Sequence, residues 1–244
     1  MSESEHARGE PPIHLRPTAA LAERVLLPGD PGRALALAQS LLSEPLMFNH
    51  HRGLWGYTGA ASDGEPLTIQ ATGMGGPSAA IVLRELIGLG ARRAVRVGTC
   101  GALAPSLALG DLVIAREAIC LDGTSRAMGA GERIAADAAL TEALIRAAPS
   151  ARVGAVASVD LFYDADAGPE APGGRRDGDP AALAIEMEAA ALLTLGARAE
   201  VAVACVLAVS DTFHQSGARE RIDERSLLEA AERMGAAAVA ALSA

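Results

Sequence analysis

The sequence predicts a single-domain α/β fold, and two observations carry that expectation. From Glu23 onward, short apolar runs alternate with amphipathic stretches, the rhythm of strands and helices taken in turn. Of 244 residues, 50% are hydrophobic and 21% charged, a balance that can bury a substantial core and contradicts a disordered or coiled-coil chain. Neither an internal repeat nor a second composition regime breaks the pattern, so residues 13–244 read as one domain behind a polar, flexible tail, residues 1–12.

Strands are expected at Arg24–Leu27, Leu67–Ala71, Ala94–Val97, Asp111–Ile119, Arg152–Ser158 and Val201–Val209, where β-branched and aliphatic residues run together. Helices are expected at Pro31–Leu42, Pro77–Leu89, Ala136–Ala147, Pro180–Leu195 and Glu224–Leu242. The second of these opens on proline in its first turn and closes before Gly90, the usual start and stop chemistry. Between Arg52 and Ala71, alternation around a central Asp63-Gly64 predicts a β-hairpin. Residues 164–179 are rich in Gly, Pro and charge without periodicity and read as one long loop.

Composition excludes several functions. Aromatics are 2% of the chain, too few for a base-stacking platform. The net charge is −9 and no lysine occurs, so no basic face exists to hold DNA or RNA, and any anion site must use arginine forks and backbone amides. Cys100, Cys120 and Cys205 form no C-x-x-C pair, which fits reduced thiols in a cytoplasm. The start lacks the apolar core of a secretory signal, and the longest apolar run, Val201–Val209, is far short of the roughly 20 residues of a membrane helix. The histidines at 6, 14, 50, 51 and 214 have no metal-ligand spacing, so no metal is expected.

Five segments could carry chemistry. In "LLPGDPGRA", Gly29 lets backbone amides turn toward an anion at a helix start that also carries Arg33, or it is simply a strand-to-helix turn. "TGMGGPSAA" lacks the third glycine and the distant acid of a dinucleotide fingerprint, and reads as a turn that a ligand or another backbone can approach closely. In "VRVGTCGAL", Arg96 stands in an apolar strand, where burial demands an anionic partner, either a ligand or an internal carboxylate. Cys100 beside it has no neighbouring His and reads as a small buried thiol rather than a nucleophile. In "AIEMEAAAL", Glu186 and Glu188 lie on an expected helix, about 200° apart, so only one easily faces a given pocket unless the helix start bends. In "CVLAVSDTF", an apolar strand delivers Ser210 and Asp211 at its carboxyl end, where open α/β sheets bind ligands, and Asp211 is a candidate general acid.

In order, "PGDPGRA", "RGLWGYTG", "GMGGPSAA", "RVGTCGAL", "SVDLFY", "IEMEAA" and "VSD" resemble the nucleoside phosphorylase family of bacterial hexameric purine nucleoside phosphorylases and uridine phosphorylases, from about His14 to Arg221. The resemblance implies a three-layer α/β/α domain with a mixed, partly barrel-like sheet. It implies phosphate held by Gly29, Arg33, Arg96 and Thr99, with Arg52 from a neighbouring subunit. Ribose would meet Glu188 and the Met187 backbone, with the neighbour's His14 at the 5′-hydroxyl. The base would stack near Phe162, lie close to Cys100, Gly101, Glu186 and Ser210, and take a proton from Asp211, supported by Arg221. "DLFY", "SD" and the "YDADAG" that stands where uridine phosphorylases carry a Gln and Arg pair favour the purine branch.

The implied activity is reversible phosphorolysis of purine nucleosides by a cytoplasmic homohexamer with shared sites, using phosphate as co-substrate and no cofactor. The alternatives are a uridine phosphorylase, a hydrolytic nucleosidase with little need for Arg33, Arg52 and Arg96, and a non-catalytic nucleoside-binding protein, against which an intact Asp211 argues. Preference between 6-amino and 6-oxo purines is left open.

Overall fold

The computed structural model describes residues 11–163, 182–213 and 219–244. Among them the chain runs β1 (Arg24–Leu27), α1 (Pro31–Leu41), β2 (Ser43–Asn49), a 3-10 turn (His51–Gly53), β3 (Gly56–Ala60), β4 (Pro66–Gln70) and α2 (Gly76–Leu89). It continues through β5 (Arg93–Ala102), β6 (Leu112–Cys120), α3 (Gly123–Ala127), β7 (Arg133–Ala135), α4 (Ala138–Ala147) and β8 (Arg152–Ser158). The last elements are β9 (Ala184–Glu186), α5 (Ala189–Ala199), β10 (Ala202–Phe213), β11 (Arg219–Arg221) and α6 (Glu224–Leu242).

All strands join one mixed sheet in the order β11-β10-β6-β8-β9-β5-β1-β4-β3-β2, with β7 on β6. Because β10 also pairs with β5, strands β5, β10, β6, β8 and β9 close a circuit, the partial barrel. Strands β5 and β10 are parallel and central, which explains why they read as nearly unbroken apolar runs: both of their faces are covered. Along β10, Val203, Cys205, Leu207 and Val209 enter one core cluster with Val82 and Leu86 of α2 and Leu192 of α5. The alternate Ala204, Val206 and Ala208 enter a second cluster with Leu37 of α1, Leu144 of α4 and Met234 of α6. Each fully buried leucine contributes roughly 1.5–3 kcal/mol, and the period of two along the strand makes the three layers.

The hairpin forms as expected, β3 antiparallel to β4 around the Asp63-Gly64 turn, and α2 starts after Gly75 with Pro77 in its first turn and ends on left-handed Gly90. Three expectations are corrected. Strand β5 does not stop at Val97 but passes through Gly98 to Ala102, because β10 and β9 pair with it there, and β10 continues past Val209 to Phe213, because Asp211 meets β5 and Asp211–Phe213 pair with β11. The helix expected at Pro180–Leu195 is instead strand β9 followed by α5, which runs on to Ala199. Tertiary pairing of Ala184 and Ile185 with β5 overrides the helix propensity of an alanine-rich stretch. Strand β2, with Pro45 on the sheet edge, and the short α3, β7 and β11 have too few residues or too little alternation to show a period. Residues 1–10 of the expected tail, the expected loop 164–179, residues 180–181 of the expected helix, and His6 and His214 lie outside the described residues.

The base of the sheet is clamped by Arg24 at the start of β1. Its guanidinium holds both carboxylate oxygens of Asp63, at 2.5 and 3.0 Å, and donates to the Glu65 and Pro66 carbonyls, joining the hairpin turn to the core. The Arg24 fork and the Ser243 hydroxyl hold the Asp63 carboxyl well below the usual carboxylate range. A depressed folded-state value means that Asp63 stabilises the fold above the unfolded-state pKa of about 3.9 and loses that contribution as the pH falls below it. Asp63→Asn should therefore melt lower than the parent at pH 7, with the gap closing below about pH 4. Thermal scans across pH 3–7 check this, and a gap independent of pH would refute it.

Candidate active site

Arg96 lies on β5 between Leu27 of β1 and Cys205 of β10, on the face covered by α2 and α5, and is only 3% exposed. A buried guanidinium is tolerable only if paired, and the pairing is double. Its Nε donates to Glu186 Oε2 at 2.9 Å, and its Nη2 donates to Glu188 Oε2 in a short contact. Burial alone would depress the Arg96 guanidinium, but Glu188 and Glu186 more than offset it and keep it charged. Burial pushes the Glu186 carboxyl up, and Arg96 pulls it back. The Nη1 of Arg96 is buried without a hydrogen-bond partner among the described residues.

The two carboxylates converge because they are not on one helix. Antiparallel β9 runs along the end of β5 and delivers Glu186, and the chain then turns so that Glu188, with non-helical φ −138° and ψ −22°, precedes α5. Gly98 leaves the room for this cluster, since a Cβ there would stand 2.7 Å from Cζ and Nη2 of Arg96.

The two glycine-rich turns meet beside it. Thr72 and Gly73 donate backbone N–H groups to the carbonyls of Pro28 and Gly29 at 2.9 and 3.0 Å, continuing the β1–β4 pairing beyond the strands. The close neighbour of "GMGG" is thus another backbone. Gly73 and Gly75 adopt φ of +75° and +85°, and Gly75 N–H donates to Glu188 Oε1 at 2.5 Å. Asp30 caps α1 through Arg33 N–H at 2.7 Å, which fixes the helix start. Burial lowers the Arg33 guanidinium, with Asp30 opposing, and Arg96 and Glu188 both act on its charge, so the three belong to one electrostatic cluster.

Asp211 stands where β10 bulges. The register with β5 shifts between Val209 and Asp211, which buries the consecutive Ser210 and Asp211 together. Ser210 Oγ donates to Asp211 Oδ2 at 2.7 Å. Arg219 Nε donates to Asp211 Oδ1 at 2.8 Å, whereas Arg221, the arginine expected here, has its Nη1 3.7 Å from the same oxygen. The Arg219 guanidinium also lies 4.6 Å over the half-exposed Phe162 ring, a cation–π contact that ties the acid to the aromatic.

A family profile described as Phosphorylase superfamily matches residues 23–243. The chain belongs to that superfamily. It is 35% identical over 235 residues to the DeoD-type purine nucleoside phosphorylase of Geobacillus kaustophilus (strain HTA426), covering 90% of this chain and 97% of the relative. Identity to the protein of the same name from Clostridium beijerinckii is 34%, covering 88% and 92% of the two chains, and to that from Alkaliphilus metalliredigens 37%, covering 81% and 85%.

In this phosphorylase-superfamily chain the structure gathers Arg96, Glu186 and Glu188 into one hydrogen-bonded cluster, with Arg33 at the start of α1 within electrostatic reach of Arg96 and Glu188. Thr99, Cys100 and Gly101 continue β5 past Arg96, and Gly101 packs under Phe213 and Ile185. Asp211 pairs in register with Gly101, which brings the acid to the same strand ends. Met187 is half-buried between the two glutamates. Cys100 is 3% exposed, a small buried thiol, and burial pushes its pKa well up. His14 and Arg52 are not in the cluster. His14 Nδ1 lies 2.7 Å from Glu85 Oε1, and its carbonyl is 2.9 Å from His51 Nδ1, so the His14 segment and the turn of Arg52 share one edge. Arg52 is exposed with φ +60°, a strained value for arginine. Among the described residues no group of three His, Cys, Asp or Glu could hold a metal ion.

Three members of the site were not singled out from sequence. Ser158 ends apolar strand β8, as Phe213 ends β10, and strand ends were the available signal. Arg219 lies two residues before Arg221 on β11, so the period of two puts both on the face of Asp211.

Gly98→Ala should force the Arg96 fork out of its clamp and strand a buried carboxylate, costing about 3–5 kcal/mol. Urea unfolding checks it, and a loss below about 1 kcal/mol would show that the fork has other room.

Proposed function

We propose that this protein catalyses reversible phosphorolysis of purine nucleosides, giving the free base and ribose 1-phosphate, with inorganic phosphate as co-substrate and no cofactor. The observation that carries the reading is the buried Arg96, whose Nη1 lacks a partner beside Arg33, with the acid Asp211 at the neighbouring strand ends. The names of the relatives support the purine assignment.

Phosphate is held by Arg33, Arg96, Gly29 and Thr99, with Arg52 arriving from a second copy of the chain. Glu188 retains free acceptor positions and takes the ribose hydroxyls beside the Met187 backbone, with a second copy's His14 at the 5′-hydroxyl. As the C1′–N9 bond breaks, positive charge builds on the sugar, and a phosphate oxygen stabilises and then attacks C1′. The bonding electron pair leaves with the purine, which lies by Phe162, Cys100, Gly101 and Ser210, and Asp211 delivers a proton to N7. The carboxylate left behind faces Arg219 and Arg221, which stabilise it.

Residues 13–244 act as one domain in a cytoplasmic homohexamer of three dimers. Exposed Ile13, Leu46, Met47 and Trp55 lie in the same segments as His14 and Arg52, as a self-association edge would have them. Among the described residues no helix is long and apolar enough to cross a membrane.

A panel of adenosine, inosine, guanosine and uridine, each with and without phosphate, tests the reaction. Base release from purines only with phosphate is expected. Release without phosphate would mean hydrolysis, preference for uridine would mean the pyrimidine branch, and no turnover would mean a binding protein.

Asp211→Asn keeps the shape but cannot transfer a proton, so adenosine turnover should fall by roughly 10²–10⁴-fold. Inosine should suffer less, because its 6-oxo group leaves a better-stabilised anion. Adenosine activity within a few-fold of the parent would remove Asp211 as the acid.

Mixing Arg52→Ala subunits with Asp211→Asn subunits should restore activity, since some interfaces would pair an intact Arg52 with an intact Asp211. No rescue in verified mixed oligomers would exclude shared sites.

A further inference from the structure

The two glutamates around Met187 differ in what they have left to offer a ligand. An ionised carboxylate accepts about four hydrogen bonds. Glu188 receives Arg96 Nη2 on one oxygen and Gly75 N–H on the other, so two acceptor positions stay open. Although it stands at the helix start, its side chain caps nothing.

Glu186 is the opposite case. Its side chain has no solvent exposure, and four donors converge on it: Ser158 Oγ–H, Arg96 Nε–H, Glu188 N–H and Ala189 N–H. The Ala189 N–H is shared, at 2.9 Å from each oxygen. Every acceptor position is taken, three of them by groups that build the start of α5 and the end of β8. Ser158 is itself fixed, accepting Ala190 N–H at 2.9 Å.

We propose that Glu186 is not a nucleoside contact but the positioning residue of Arg96: anchored by Ser158 and the first turn of α5, it holds Nε and so fixes the direction in which the unpartnered Nη1 offers its donors to phosphate. Glu188 alone of the pair meets ribose. This rests on reading Arg96 as the phosphate anchor. Removing Glu186 should therefore weaken phosphate and spare the nucleoside, the reverse of what a base contact would do.

The test uses the assembled enzyme and two ligands separately, inorganic phosphate and inosine, by titration calorimetry, with KM for each by steady-state kinetics. Glu186→Gln should raise the phosphate Kd and KM by about 10-fold or more, the effect of one lost charge-assisted hydrogen bond, and leave the inosine Kd unchanged. Ser158→Ala, which removes one donor to Glu186, should move phosphate in the same direction by less and also spare inosine. Weakened inosine binding with unchanged phosphate binding in either variant would overturn the proposal, and if Glu186→Gln does not fold, Ser158→Ala decides alone. Arg96→Lys serves as the control. If it binds phosphate as the parent does, the anchor reading falls and the positioning role with it. If it loses phosphate while Glu186→Gln keeps it, only the positioning role falls. Calorimetry needs no turnover, so a parent enzyme that cleaves no purine nucleoside would refute the proposed activity and leave the Glu186 result readable.

Discussion

A guanidinium carried into an apolar sheet costs several kcal/mol unless it is matched, and much of this structure exists around the match for Arg96. Its partners lie 90 and 92 residues away in sequence. They reach it only because β9 closes the circuit against β5 and α5 begins at the right place. Gly98 beneath the guanidinium, Ser158 behind Glu186, and Gly75 on the far oxygen of Glu188 are all adjustments to that one buried charge. Two carboxylates on one cation leave the cluster electrostatically balanced against Arg33, and Nη1 of Arg96 is the buried guanidinium nitrogen left without a partner among the described residues.

The rest of the fold places chemistry at the edges of this cluster. The turns after β1 and β4 are zipped together, which sets the start of α1 and, with it, Arg33. The bulge in β10 turns two consecutive residues inward, so the acid and its serine neighbour are both buried beside the end of β5. Arg219 then links the acid to Phe162. The acid is therefore coupled to the wall against which a base is proposed to lie, through contacts that span three separate segments.

The edge that carries His14 and Arg52 is organised by different means. Glu85 on α2 accepts the N–H groups of Ile13, His14 and Leu15 as well as contacting the His14 ring, so a short N-terminal segment is pinned where it would otherwise fray. These hydrogen bonds hold the Glu85 carboxyl below its ordinary value despite burial. Arg52 keeps a left-handed backbone that arginine does not favour, a strain that persists only where surroundings impose it. Both features fit the proposal that these side chains complete the site of a second copy.

What sequence alone determined follows from local rules. The α/β rhythm, the Asp63-Gly64 hairpin, the limits of α2 and α6, and the demand that Arg96 find an anion were all legible, because periodicity, turn chemistry and the cost of burying charge act on neighbouring residues. Which anion answered that demand was not legible. An alanine-rich stretch has helix propensity, and on a helix Glu186 and Glu188 would diverge; only pairing with β5 and β8, strands distant in the chain, turned it into a strand and a non-helical bend that bring both carboxylates together. The same holds for Arg219 over Arg221 and for Ser158, whose roles depend on which atoms lie within 3 Å across the sheet, a quantity that no local pattern contains.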